Sequence, residues 1–379
     1  MYRNNQLRRK IETRDDHAFC GAISPLFHFD MCIRVSIFAR NAIREMKLEK
    51  KTTRRLAYID IAKAIALMLI VYSHTANCYG QIYLGSFFIA AFFLLSGYTS
   101  KYNESWKQHL IKRAQRLLIP YLLFNVVFIL LCRNFTTYDL LGVVYSRYRL
   151  GLEGSSLPIM LRSLNGPLWF FTAMFLADML FIKLVKMVDV INSNIRVHAI
   201  VVISLLSASF LLNQIPFLLP WSLDMVPFFA LFMYLGQLCL RYDIFRHIRG
   251  IKVFIILLLL IVSCQINGPI NLSIRIYGHS ILLTFLTGIL GTLLLVWIGK
   301  LLEASKIGSL LARSGKHTLT IFSLQMFVLH FVNSAISFVG YDGTSVSIDI
   351  LLGIAAVIVV FIVGGITSTI LKRFLPSVF

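Results

Sequence analysis

Between residues 57 and 371 the chain alternates long apolar stretches with short polar breaks. A helix that crosses a bilayer needs about 20 mostly apolar residues. Ten stretches approach that length: 57–79, 82–99, 114–132, 167–189, 196–213, 223–240, 251–265, 276–302, 317–337 and 347–371. The pattern predicts an all-α fold, a polytopic bundle of about ten transmembrane helices. The seventh stretch is the shortest.

Polar positions inside these stretches stand out because lipid penalises them. The first, "YIDIAKAIALMLIVYSH" (58–74), holds Asp60, Lys63 and His74. Eleven helical residues turn through about 1100°, three turns plus about 20°, so Lys63 and His74 share a face about 16 Å apart. Asp60, three residues before Lys63, joins the same stripe. An ionisable group at mid-helix costs roughly 2.5–3.5 kcal/mol, and such groups face a bundle interior or a wet cavity. An Asp60–Lys63 pair would lower that cost. The alternative for this stripe is snorkelling from the interfaces.

The fourth stretch opens "NGPLWFFTAMFLADMLF". Pro167 suits a helix start, and Trp169, Phe170 and Phe171 suit an outer aromatic belt. Asp178 falls about 16 Å further in, a candidate partner for Lys63, His74 or a substrate hydroxyl, or a helix–helix hydrogen bond. In the ninth stretch, "KHTLTIFSLQMFVLHFVNSAI", Gln325 lies near mid-depth, and His330 lies in the outer half, as His74 does. His279, at the outer start of the eighth stretch, is expected to face headgroups or water.

Composition agrees with the membrane class: 58% of residues are hydrophobic, 14% are charged, and mean hydropathy is +0.77. The net charge of +20 would suggest nucleic acid in a soluble chain. Its distribution argues otherwise. With a cytoplasmic N-terminus, 31 of the 37 Lys and Arg fall on the inner side, and Lys63 lies in a span. Only Arg133, Arg147, Arg149, Arg162 and Arg275 fall outside. This positive-inside asymmetry predicts an even number of spans, both termini cytoplasmic, and the bilayer rather than nucleic acid as partner. The six cysteines form no CxxC or Cys/His cluster, so no metal is expected. Cys78, Cys132 and Cys264 fall near outer helix ends, without a deducible pairing.

Residues 1–45 are basic, lack a span and lack a signal-peptide core. They read as a dispensable N-terminal extension ahead of a membrane domain at 46–379. The long outer loop, 133–166, carries four arginines and reads either as a functional loop or as an interfacial helix with basic flanks.

In "KQHLIKRAQRLLIPYLLF", Arg113 and Arg116 lie three residues apart at the cytoplasmic mouth, beside Lys112. Paired guanidiniums suit phosphates on a cytosolic ligand, and they also suit positive-inside anchoring. Lys63 and His74 on the first helix and Arg113-x-x-Arg116 before the third resemble the hallmarks of the integral-membrane acyltransferase-3 family. "FFLLSGY" (92–98), "RLLIPYLLF" (116–124) and "GPLWF" (166–170) are similar to its other landmarks. "YIDIAKAIA" resembles its sugar O-acetylase branch.

The resemblance implies O-acetylation of a carbohydrate, with cytosolic acetyl-CoA or another acyl-CoA as donor. The acceptor would be a cell-envelope or exported glycan, free or lipid-linked, at the inner cell membrane, with polysaccharide-biosynthesis proteins as partners. It implies that Arg113 and Arg116 hold CoA phosphates, that His74 acts at acyl transfer, and that Lys63 supports donor or cavity geometry. Gln325 falls where some relatives carry an acidic residue. A neutral imidazole, with an ordinary pKa near 6.5, suits proton removal from a sugar hydroxyl. An acyl-histidine relay is a variant. The rival readings are a secondary transporter or glycan-lipid exporter using Asp178 for ion coupling, and a structural scaffold of a polysaccharide complex.

Overall fold

The computed structural model describes residues 56–375 and 378, apart from 76–77, 102–103, 132–135, 153–159, 162–165, 192–193, 342 and 344. The expected extension, 1–45, lies outside the described residues. In chain order the helices are α1 (Ala57–Ser73), α2 (Gln81–Leu84), α3 (Phe88–Thr99), α4 (Trp106–Leu131), α5 (Thr137–Tyr145), α6 (Trp169–Val190) and α7 (Ile195–Asn213). There follow α8 (Val226–Arg241), α9 (Ile251–Asn267), α10 (Ile281–Leu302), α11 (Lys306–Ser314), α12 (Thr318–Phe338) and α13 (Val346–Phe374). The only extended pairing among the described residues is three isolated bridges in the loops.

The protein is an all-α polytopic membrane bundle, and a helix lies on each of the ten predicted stretches, with α5 and α11 between them. Eight segments among the described residues are long and apolar enough to cross a bilayer. The other two are α9 and α1, each of 17 residues. The α1 helix stops at Ser73, six residues short of the predicted end, and His74 is its C-cap.

Burial separates an inner set of helices from an outer set. The spans of α8 and α6 are 83% and 78% buried, against 22% for α7 and 28% for α13. In a bilayer the apolar sides of the outer helices face lipid. The tightest crossing joins α3 to α8. A Cβ on Gly97 would fall 1.9 Å from the Met233 carbonyl oxygen, and one on Gly236 would fall 2.0 Å from that of Leu94. Each helix thus presents a glycine to the other's backbone, the small-residue packing expected where lipid supplies no hydrophobic drive.

Beside this crossing lies an aromatic cluster. Phe93 stacks on Phe229 with centroids 4.1 Å apart, Phe170 meets Phe92 and Phe93 edge-on, and Phe322 packs against Phe170 and Phe171. The aromatic belt expected at 169–171 is therefore not found. Trp169, Phe170 and Phe171 are 7%, 3% and 0% exposed. The 3-10 turn at Gly166–Leu168 starts α6 inside the bundle. Successive helical residues point 100° apart, and α3, α8 and α12 cover these three.

The α1 helix is interior, packed against α3, α10, α11, α12 and α13. Ile61, Ala62, Ala64, Ala66 and Leu67 are fully buried. Gly315 lets the turn after α11 sit on α1, since a Cβ there would lie 2.1 Å from the Asp60 carbonyl oxygen. Asp60 and Lys63 are half-buried, and His74 is exposed. The polar stripe is thus carried on a helix enclosed by others.

Part of the outer loop forms α5, which opens with a capping box between Thr136 and Asp139. Tyr138, Leu141 and Val144 make an exposed apolar edge, and Asp139 and Gly142 are buried on the opposite side. This is the amphipathic pattern of an interfacial helix. Cys78, Cys239 and Cys264 are free thiols among the described residues, and Cys132 lies outside them.

Candidate active site

Lys63 lies in the second turn of α1, and its Nζ is 3.4 Å from Oγ1 of Thr99, an exposed residue at the end of α3. The chain then passes through the short α3–α4 link. Here Lys112 donates to Glu104 Oε1 at 2.5 Å, and Lys186 of α6 donates to the Glu104 carbonyl oxygen at 2.5 Å. The Lys112 hydrogen bond holds the Glu104 carboxyl below the ordinary carboxylate range. Lys183 Nζ stands 4.9 Å above the Trp106 ring, a cation–π contact. These contacts fix the first turns of α4 to the end of α6.

One turn further along α4 is the densest charge cluster at this end. Asp178 of α6 is fully buried. Its Oδ2 is 2.5 Å from His109 Nε2, and its Oδ1 is 2.9 Å from Arg113 Nη2. His109 and Arg113 are four residues apart on α4 and present one face. The side-chain exposures are 1% for Asp178, 7% for His109 and 23% for Arg113. Arg116 is exposed. The two motif arginines therefore differ: Arg113 is held by a buried carboxylate with part of its side chain accessible, and Arg116 is exposed. Together with Lys112 they form a basic rim.

Of the roles open to Asp178, the structure shows the helix–helix contact: its partners are His109 and Arg113 of α4, not Lys63 or His74, so it lies at the level of the arginine motif. His109 went unrecognised in the sequence, although its spacing of four from Arg113, with one buried aspartate in a neighbouring span, is the signal that marks it.

Gln325 is 0% exposed, and neither amide atom has a hydrogen-bond partner among the described residues. Leaving a buried polar group unpaired costs about 1–3 kcal/mol. The α12 helix packs against both α1 and α4, so this amide stands on the element shared by the two motif helices. His330 is exposed beside Phe331, with ring centroids 5.9 Å apart. His279 is exposed, as expected. No group of three or more His, Cys, Asp or Glu residues suited to a metal occurs among the described residues.

Residues 56–368 match the model of the acyltransferase-3 family, described as an acyltransferase domain. The match spans most of the chain, and the chain belongs to that family. Among curated proteins none matches it.

Proposed function

We propose that this multi-pass membrane acyltransferase moves an acetyl or related acyl group from cytosolic acyl-CoA to a hydroxyl of a cell-envelope or exported glycan at the inner cell membrane. One observation carries the reading. Arg113 is fixed by the buried Asp178 yet keeps part of its side chain accessible, beside the exposed Arg116 and Lys112. An anchored and an exposed guanidinium on one rim suit a ligand with several phosphates, because they add charge-assisted hydrogen bonds without burying an unpaired cation. That chemistry fits the nucleotide end of acyl-CoA. Asp178 and His109 act as positioning residues in this scheme, setting the Arg113 rotamer.

The polar edge of α1 leads from this end of the bundle to the other. Lys63 supports the donor near the rim, with Asp60 on the same stripe. His74, on the turn that caps α1, removes the proton from the acceptor hydroxyl as its oxygen attacks the thioester carbonyl. The buried Gln325 amide can donate a hydrogen bond to the carbonyl oxygen as negative charge develops there. When the tetrahedral species collapses, the carbon–sulfur bond breaks and the thiolate takes up a proton. His330 is a supporting group at the depth of His74. The transporter reading needs Asp178 free for ion coupling, and its hydrogen bond to His109 and ion pair with Arg113 weigh against that.

The test uses membranes supplied with radiolabelled acetyl-CoA and scored for acetyl-glycan. Label should appear with the wild type and be lost with His74→Ala and Arg113→Ala. Unchanged labelling with either variant, or solute flux independent of CoA, would overturn the reading. Comparing ester-linked acetate on surface polymers with and without the gene identifies the acceptor.

A further inference from the structure

At the end of α4 away from Arg113, segments 146–151, 212–225 and 268–280 meet around a second charge cluster. Arg147 Nη2 is 2.5 Å from Asp224 Oδ1, and Arg275 Nη1 is 3.1 Å from Asp224 Oδ2. All three side chains are at most 1% exposed. The remaining donors go mainly to backbone. Arg147 donates to the carbonyl oxygens of Leu219 (3.3 Å) and Ser273 (2.5 Å). Arg275 donates to those of Leu212 (3.1 Å), Phe217 (3.3 Å) and Ile215.

Among the described residues one carboxylate thus faces two guanidiniums, which leaves a formal positive charge in a buried place. Arg149 lies beside it: its segment bridges to Met160 and, through Gly151, to Phe217. Its Nε and Nη2 are buried with no hydrogen-bond partner among the described residues, as is the Nε of Arg275. Charge in a low-dielectric wall is weakly screened and raises the potential over the adjoining surface.

The adjoining surface is a cavity of about 800 Å³ between residues 275–282 and the last turns of α7. Arg275 lies in its wall. Ser207, Asn213, His279 and Ser280 supply hydrogen-bonding groups. His279 Nδ1 is engaged by the Ile266 carbonyl oxygen at 3.0 Å, which leaves Nε2 uncommitted. The cavity also meets the first turn of α10, where helix geometry leaves backbone N–H groups unpaired and favours an anion. The rest of the lining is greasy and outward-facing: Phe210, Leu211 and Leu282 are 56%, 68% and 61% exposed.

One buried arginine in the wall, several donors and an apolar flank at the end of two membrane helices suit a phosphate on a long hydrocarbon chain. We propose that this cavity binds the phosphate of a polyprenyl-phosphate lipid, the membrane-anchored end of the glycan acceptor. The proposal rests on the glycan-acylation reading for the word acceptor, and the binding claim stands on the cavity itself.

The experiment uses the full chain in phosphatidylcholine nanodiscs and radiolabelled decaprenyl phosphate as the probe. Saturable binding is expected, at least about tenfold weaker for decaprenol, and retained against an excess of phosphatidylglycerol. Ser207 is exposed and lies outside the proposed catalytic and donor groups. Ser207→Trp should fill the cavity and weaken binding about tenfold, with melting temperature and acetyl transfer to a short soluble glycan unchanged. Asn213→Leu, which removes a polar group, should weaken binding by a smaller factor. Equal binding of decaprenol, displacement by phosphatidylglycerol, or wild-type binding by Ser207→Trp would overturn the proposal. Since binding needs no acetyl-CoA, a chain that binds the probe and transfers no acetyl refutes the proposed activity alone.

Discussion

Asp178 and Asp224 invite comparison. Each is a fully buried aspartate held between two basic side chains, one on α6 and one just ahead of α8. Asp224 is enclosed: its two arginines are at most 1% exposed, and most of their other donors bind carbonyl oxygens of two segments, 212–219 and 273. Asp178 is enclosed on one side only, because Arg113 keeps 23% of its side chain accessible. Removing a carboxylate that leaves two cations without water is expensive. Removing one whose arginine can reach solvent is far less so. The same interaction therefore serves as a lock at one end and as the foundation of a binding rim at the other.

This difference sets the order of the expected effects. Asp224→Ala should be the most damaging to the fold, by about 3–5 kcal/mol, read as a large fall in the melting temperature of the solubilised protein. Asp178→Ala should cost less than half as much stability but raise the KM for acyl-CoA about tenfold. An equal stability loss for the two variants would erase the distinction. Arg113→Ala should raise the donor KM about 10–100-fold, the worth of a hydrogen bond to a charged group. Arg116→Ala, at an exposed site, should raise it only a few-fold. Gln325→Met should lower kcat with little change in KM and leave the fold at least as stable, since its amide makes no hydrogen bond among the described residues. A fall in stability with unchanged kcat would make Gln325 a packing residue.

The smallest effect concerns Glu104. Its carboxyl is held below the ordinary range by Lys112, so the pair contributes above the unfolded carboxyl's pKa and is lost as pH falls through the lower folded value. At an exposed pair this is worth at most about 1 kcal/mol. Glu104→Gln should lower the melting temperature slightly at pH 7, with the gap to wild type closing as the medium is acidified. A gap that widens in acid would contradict the assignment.

The parts legible in the sequence were those set by local periodicity. Apolar length located the long helices, because a span must satisfy its own backbone hydrogen bonds along its own chain, and it missed the short α5 and α11. The stripe on α1 was legible for the same reason, and so was the spacing of Arg113 and Arg116. What periodicity does not carry is which helix faces which, and how deep each one starts. Trp169–Phe171 read as a surface belt because aromatics at a helix end suit an interface, yet α3, α8 and α12 enclose them. Asp178 reads as a buried carboxylate, but its partners depend on α4 packing against α6. Arg147 and Arg275 counted only as scarce outer-side cations, and their convergence on Asp224 joins residues 77 and 51 positions apart.

The central claim is that a thioester bound at the Arg113 end supplies an acyl group to an alcohol at the His74 end, through one polar path along α1. Sealed inside-out vesicles test it most directly, with radiolabelled acetyl-CoA outside and the glycan acceptor trapped within. The account predicts acetyl-glycan in the lumen, abolished by His74→Ala and strongly reduced by Arg113→Ala. Label that forms only when acetyl-CoA and glycan share the same side of the membrane would contradict it.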